Sequence, residues 1–150
     1  MYICPACPDA VACMQGGPEA PCLSGEVQFY QKRGAVLVAV HVSGLPRQSE
    51  TGFFALHIHE GGSCSGENFS DTGGHYNPHN EAHPRHAGDL PPLFSDEYGN
   101  AFAQVFIDRT NVREVSGKPI VVHAMPDDFK TQPAGASGVR LACGLLAENL

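Results

Sequence analysis

Apolar and polar positions alternate along much of the chain, and the alternation marks short strands. Residues 35–43 (AVLVAVHVS) show it best. Val36, Val38, Val40 and Val42 recur at a period of two, and branched side chains suit a half-buried pleated surface. They are expected to face the core, with His41 on the solvent side. Residues 25–31 (GEVQFYQ) read as the preceding strand, joined through Lys32-Arg33-Gly34. Further strands are predicted at 53–60 (FFALHIHE), 101–108 (AFAQVFID), 119–123 (PIVVH) and 140–146 (RLACGLL), with a candidate first strand at 9–15 (DAVACMQ). On 101–108, Ala103, Val105 and Ile107 share one face. Phe102 and Phe106 share the other, where a partner or a covering loop would meet them. Residues 112–116 read as a connecting piece. No periodic segment occurs from 61 to 100, and 125–139 form a second loop rich in Gly and Pro. About eight short strands, two long loops and no helix predict an all-β antiparallel sandwich or barrel.

Composition narrows the function. A chain of 150 residues with 42% apolar content suits one domain. No apolar run approaches the roughly 20 residues that span a bilayer, so no membrane association is expected. The net charge of −7 argues against a nucleic-acid partner, which needs a basic face. Met1-Tyr2-Ile3-Cys4-Pro5 lacks the basic and apolar regions of a secretory signal. A cytoplasmic location is favoured on that ground, with a periplasmic or secreted one if a signal has been removed. Four of the six cysteines, Cys4, Cys7, Cys13 and Cys22, crowd the first 22 residues. Cys4-Pro5-Ala6-Cys7 is a C-x-x-C without the second pair of a zinc ribbon, so paired disulfides or reduced thiols are favoured over a metal site. Residues 1–24 are therefore set apart as a cysteine-rich extension with a possible first strand, and 25–150 as the domain proper.

The chemistry concentrates in residues 74–89 (GHYNPHNEAHPRHAGD). His75, His79, His83, His86 and Asp89 fall within fifteen residues. Imidazole nitrogen and carboxylate oxygen are the usual ligands of zinc and copper. Glycine and proline exclude a helix here, and a long ordered loop needs something to hold it. A metal ion would serve; a polar surface loop is the alternative. His57 and His59 lie two apart, so on a strand they project from one face as a chelating pair. His123 ends a predicted strand.

In chain order, His57-Ile58-His59-Glu60, Gly73-Gly74-His75-Tyr76-Asn77-Pro78, His86-Ala87-Gly88-Asp89-Leu90-Pro91, Val121-Val122-His123, Asp127-Asp128 and Gly138-Val139-Arg140-Leu141-Ala142-Cys143-Gly144 resemble the copper/zinc superoxide dismutases, and more closely their bacterial branch. The resemblance covers residues 25–146. It implies an eight-stranded Greek-key barrel with two functional loops, and the conversion of superoxide, a small anion, to oxygen and hydrogen peroxide. It implies copper on His57, His59, His75 and His123, and zinc on His75, His83, His86 and Asp89, with His75 as a shared bridge. Asp127 would join the outward nitrogens of one ligand from each site. Cys64 and Cys143 would form a disulfide, and Arg140 would receive the substrate. A homodimer is compatible with it.

This chain departs from the family pattern in places. The spacing from His83 to His86 is short. His79 is a spare histidine, expected in solvent, that could replace His83. The 125–139 loop offers only Lys130 as a cation, with Arg85 elsewhere as a further candidate. A non-catalytic dismutase-like domain that binds zinc or carries copper is the alternative function. A zinc hydrolase would need an open coordination position, which four protein ligands do not leave.

Overall fold

A computed structural model describes residues 6–149. Its strands are β1 (Ala10–Gly16), β2 (Ser24–Lys32), β3 (Ala35–Ser43), β4 (Phe53–Ile58), β5 (Asp89–Phe94), β6 (Ala101–Ile107), β7 (Pro119–His123) and β8 (Arg140–Glu148). They form one eight-stranded sheet in the order β5-β4-β7-β8-β1-β2-β3-β6, and every ladder is antiparallel. The pairings β4–β7, β1–β8 and β3–β6 are the Greek-key crossings. The terminal strands β5 and β6 lie against each other without a ladder, which makes a nearly closed barrel. Among the described residues, no helix is long and apolar enough to cross a membrane.

The alternation of β3 works as expected. Val36, Val38, Val40 and Val42 are buried with Val27, Phe29 and Met14, while His41 is exposed. His41 stands opposite Phe102 across the β3–β6 ladder. Phe102 and Phe106 are 68% and 66% exposed, so no loop of the described chain covers them. β1 is an integral strand, paired with β2 on one side and β8 on the other.

Four elements differ from the sequence reading. β5 (DLPPLF) lies inside the stretch expected to be irregular. Pro91 and Pro92 mask its alternation, and an edge strand tolerates them because one side needs no ladder donors. Leu90 and Leu93 still point into the core. The 112–116 segment carries a one-turn helix, α1 (Val112–Val115), capped by Asn111, whose side chain accepts from the Glu114 amide. Residues Glu67–Thr72 form 3-10 turns within the long loop. The fourth strand also ends early, at Ile58, leaving His59 in an isolated bridge with His75.

The two loops give the barrel a second buried layer. Leu56, Ile58, Ile120 and Val122 face the core. Their neighbours Ala55, His57, Val121 and His123 face outward and are nevertheless buried. The 59–88 and 124–139 loops therefore cover the outer face of β4, β7 and β8. The Cys64–Cys143 disulfide staples the first loop to β8. Cys7, Cys13 and Cys22 are free and exposed. Cys4 lies outside the described residues.

Candidate metal centre

Four adjacent strands deliver the polar side chains to one place. His57 sits on β4 opposite Asp89, the first residue of β5, and opposite Val121 on β7. His123 ends β7 opposite Arg140, the first residue of β8, beside a register shift. The His59–His75 bridge brings the first loop across them. Three clusters of potential ligands result: His57, His59, His75 and His123, all buried; His75, His83, His86 and Asp89; and His57, His83 and Asp127, in which the carboxylate ties a histidine of the first to one of the second. Within each, the ligand atoms lie within 4.8 Å of one another. His75 belongs to the first two.

Hydrogen bonds decide which nitrogen of each ring is free. His59 Nδ1–H donates to Gly73 O at 2.8 Å, and His123 Nδ1–H to Gly138 O at 3.2 Å. Their Nε2 atoms then carry lone pairs and no protons, yet they face each other at 3.1 Å. His57 Nε2–H donates to Asp127 Oδ2 at 2.9 Å, and His83 Nε2–H to Asp127 Oδ1 at 2.8 Å. That leaves His57 Nδ1 and His83 Nδ1 buried without a hydrogen-bond partner, the latter 3.1 Å from Asp89 Oδ2. His75 Nε2 is likewise buried and unpartnered. Lone pairs aimed at one another in a dry site repel, and buried acceptors left unpaired are costly. Protons do not relieve this. Burial lowers the His59 pKa to about 3 and that of His123 to about 4, and pushes His57 further down. Cations placed among these atoms remove the conflict, and the donor types suit them. Imidazole serves copper in both its common oxidation states, and three imidazoles with one carboxylate suit zinc.

The remaining candidates separate clearly. Arg140 Nη2 donates to Gly73 O at 3.1 Å, the carbonyl that also holds His59. Arg140 lines a cavity of about 500 Å³ whose floor includes His59, His75 and His123. Lys130 is exposed and does not line that cavity; Arg85 and His79 line a different groove. His79 is exposed and outside all three clusters.

Sequence reasoning missed the residues that hold the ligands' backbone. Gln132 meets both main-chain groups of His83, and Arg109 Nη1 donates to Pro84 O at 2.8 Å. Asn77 does for Glu81 what Gln132 does for His83, through bonds of 2.9 Å to its amide and carbonyl. No local pattern announces the Gln132 and Arg109 contacts. Gln132 and Arg109 reach across 49 and 25 residues.

Comparison with known proteins identifies the family. The family profile described as copper/zinc superoxide dismutase (SODC) matches residues 23–146. The chain is 35% identical over 136 residues to Cu-Zn superoxide dismutase 2 of Aquifex aeolicus (strain VF5), covering 81% of this chain and 78% of that one. It is 33% identical over 139 residues to the Cu-Zn superoxide dismutase of Caulobacter vibrioides (strain ATCC 19089 / CIP 103742 / CB 15), covering 82% and 78%. A crystal structure of the clock protein EA4 superposes with a TM-score of 0.79 at 28% identity, covering 99% of this chain and 100% of that one. On fold, donor set and sequence together, the chain belongs to the copper/zinc superoxide dismutase family, enzymes that carry both metals.

Proposed function

We propose that this chain converts two superoxide anions and two protons to dioxygen and hydrogen peroxide, with copper held by His57, His59, His75 and His123 and zinc by His75, His83, His86 and Asp89. One observation carries the reading. The Nε2 of His75 is buried and unpartnered, while its Nδ1 lies 2.8 Å from Asp89 Oδ1 and 3.3 Å from His86 Nδ1. His75 also belongs to the cluster of His57, His59 and His123, so a free Nε2 beside an Nδ1 already among Asp89 and His86 supports an imidazolate bridge. Copper supplies reversible one-electron chemistry and zinc a redox-inert charge.

The chain's residues do the rest. His75 Nε2 is the atom at which a proton is held and passed on toward peroxide. Gly73 O orients His59 and Arg140 together, so the ligand and the guanidinium keep a fixed relation. Asp127 fixes the tautomers of His57 and His83, one from each donor set. Arg140 attracts the anion into the cavity against a net charge of −7. A unit charge about 5 Å away at an effective dielectric near 20 contributes roughly 3 kcal/mol before salt screening lowers it.

Superoxide decay followed by pulse radiolysis on copper- and zinc-loaded protein tests the proposal. Fast decay is expected, slowing as ionic strength rises and falling about tenfold or more in Arg140→Glu. Decay no faster than in buffer refutes the activity and leaves a non-catalytic, metal-carrying relative. An active parent with an unaffected Arg140→Glu refutes only the role of Arg140.

A further inference from the structure

His83 is a buried residue at the tip of a loop with no strand on either side to pair with it. Its main chain nevertheless has both its partners. Gln132 Oε1 accepts from the His83 amide at 2.9 Å, and Gln132 Nε2 donates to the His83 carbonyl at 2.7 Å. One carboxamide thus replaces a rung of β-ladder, and no backbone group competes for either bond. A second bond from Nε2 to Lys130 O at 3.2 Å holds the carboxamide in place. The turn that carries Gln132 is closed by Gly135 N–H to Thr131 O at 2.7 Å and Asp128 N–H to Gly135 O at 3.0 Å.

The same short segment also grips the His83 ring. Asp127 accepts from Nε2, and Gly135 packs flat against that bond. Gly135 has φ +70°, and a Cβ there would run into the Asp127 carboxylate and His83 Nε2. Backbone and ring of a single residue are therefore both held from the 124–139 loop. This matters because only two residues separate His83 from His86, so the intervening chain has little freedom to bring both rings to one ion.

We propose that Gln132 is a positioning residue of the zinc site. By clasping the His83 main chain it aims His83 Nδ1 beside Asp89, and it couples the order of the 124–139 loop to zinc binding. The inference rests on the assignment of His83 as a zinc ligand.

Its test compares zinc affinity, by chelator competition, in parent, Gln132→Ala, Gln132→Glu and Asn77→Ala. Gln132→Ala removes both bonds. Gln132→Glu keeps the acceptor for the His83 amide but sets a carboxylate oxygen against its carbonyl. Asn77→Ala removes the matching pair of bonds from Glu81, a residue of the same loop outside the ligand groups. Both Gln132 variants are expected to weaken zinc binding about tenfold or more, as loss of an outer support does. Copper affinity and the far-ultraviolet circular dichroism should stay as in the parent. The visible spectrum of cobalt(II) bound in place of zinc should change, because the ligand geometry changes. Zinc affinity and cobalt spectrum unchanged in both Gln132 variants overturn the proposal. So does an equal loss in Asn77→Ala, which would assign the effect to general loosening of the loop. If His83→Ala binds zinc as tightly as the parent, the zinc assignment itself fails, and the Gln132 role with it.

Discussion

Replacing Asp127 by asparagine should damage the copper site more than the zinc site, and the reason lies in which oxygen serves whom. The buried carboxylate accepts three hydrogen bonds. Oδ1 takes His83 Nε2–H at 2.8 Å and the Phe129 amide at 2.8 Å; Oδ2 takes His57 Nε2–H at 2.9 Å. Asparagine keeps one acceptor. Placed at the Oδ1 position, its carbonyl satisfies two donors and sets its NH₂ against one. Placed the other way, it opposes two donors and satisfies one. The first orientation wins, and His57 is the residue left facing a donor. To relieve the clash, His57 must move its proton to Nδ1, the buried nitrogen that belongs to the copper group. A hydrogen bond to a charged acceptor is worth about 1.5–3 kcal/mol, which corresponds to roughly 10- to 100-fold in affinity. His83 keeps an acceptor, now neutral, so zinc binding should fall by less. Copper(II) and zinc affinities, each measured by competition with a chelator of known strength, give the answer directly. Zinc binding weakened with copper binding untouched would refute the orientation argument. Both left untouched would refute the role of Asp127 altogether.

Three further outcomes are expected. Cys64 and Cys143 are 79 residues apart, and closing a loop of that length is worth about 4.5 kcal/mol in the chain-entropy model; Cys143→Ser should lower the stability read from urea unfolding by about that order, and an unchanged midpoint would count against it. Removing the metals should expose the amides of 61–88 and 124–139 to hydrogen exchange while the barrel strands stay protected, because binding to the native state alone stabilises it and the loops hold little core of their own; equal protection in both forms would contradict this. Metal-free protein should lose stability as pH falls. Burial holds His59 near 3 and His123 near 4, against an ordinary value of 6.5, so the unfolded chain binds protons that the folded chain refuses. That contribution is intact above pH 6.5 and is lost progressively as pH falls from there toward 4; a urea midpoint equal at pH 7.5 and pH 4.5 would oppose the assignment.

The strand pattern and the ligand types were legible in the sequence because both are local. A period of two places Val36, Val38, Val40 and Val42 on one face wherever β3 goes, and His57-x-His59 and the run from His75 to Asp89 offer ligand-type side chains that the family resemblance assigned to copper and zinc. Two features were hidden by local chemistry. Pro91 and Pro92 disguised β5, and α1 is too short to show a period. What only the tertiary structure decided is orientation. Which nitrogen of His57, His59, His83 and His123 is free depends on Gly73 O, Gly138 O and Asp127, none of which its own neighbourhood specifies. That His57 and His123 are buried on the outer face of the barrel depends on loops folding over it, since alternation alone would leave that face in solvent. The support of His83 by Gln132 and Gly135 depends on two irregular segments meeting. Irregular segments carry no period, so only packing, disulfide and shared ligands fix where they meet.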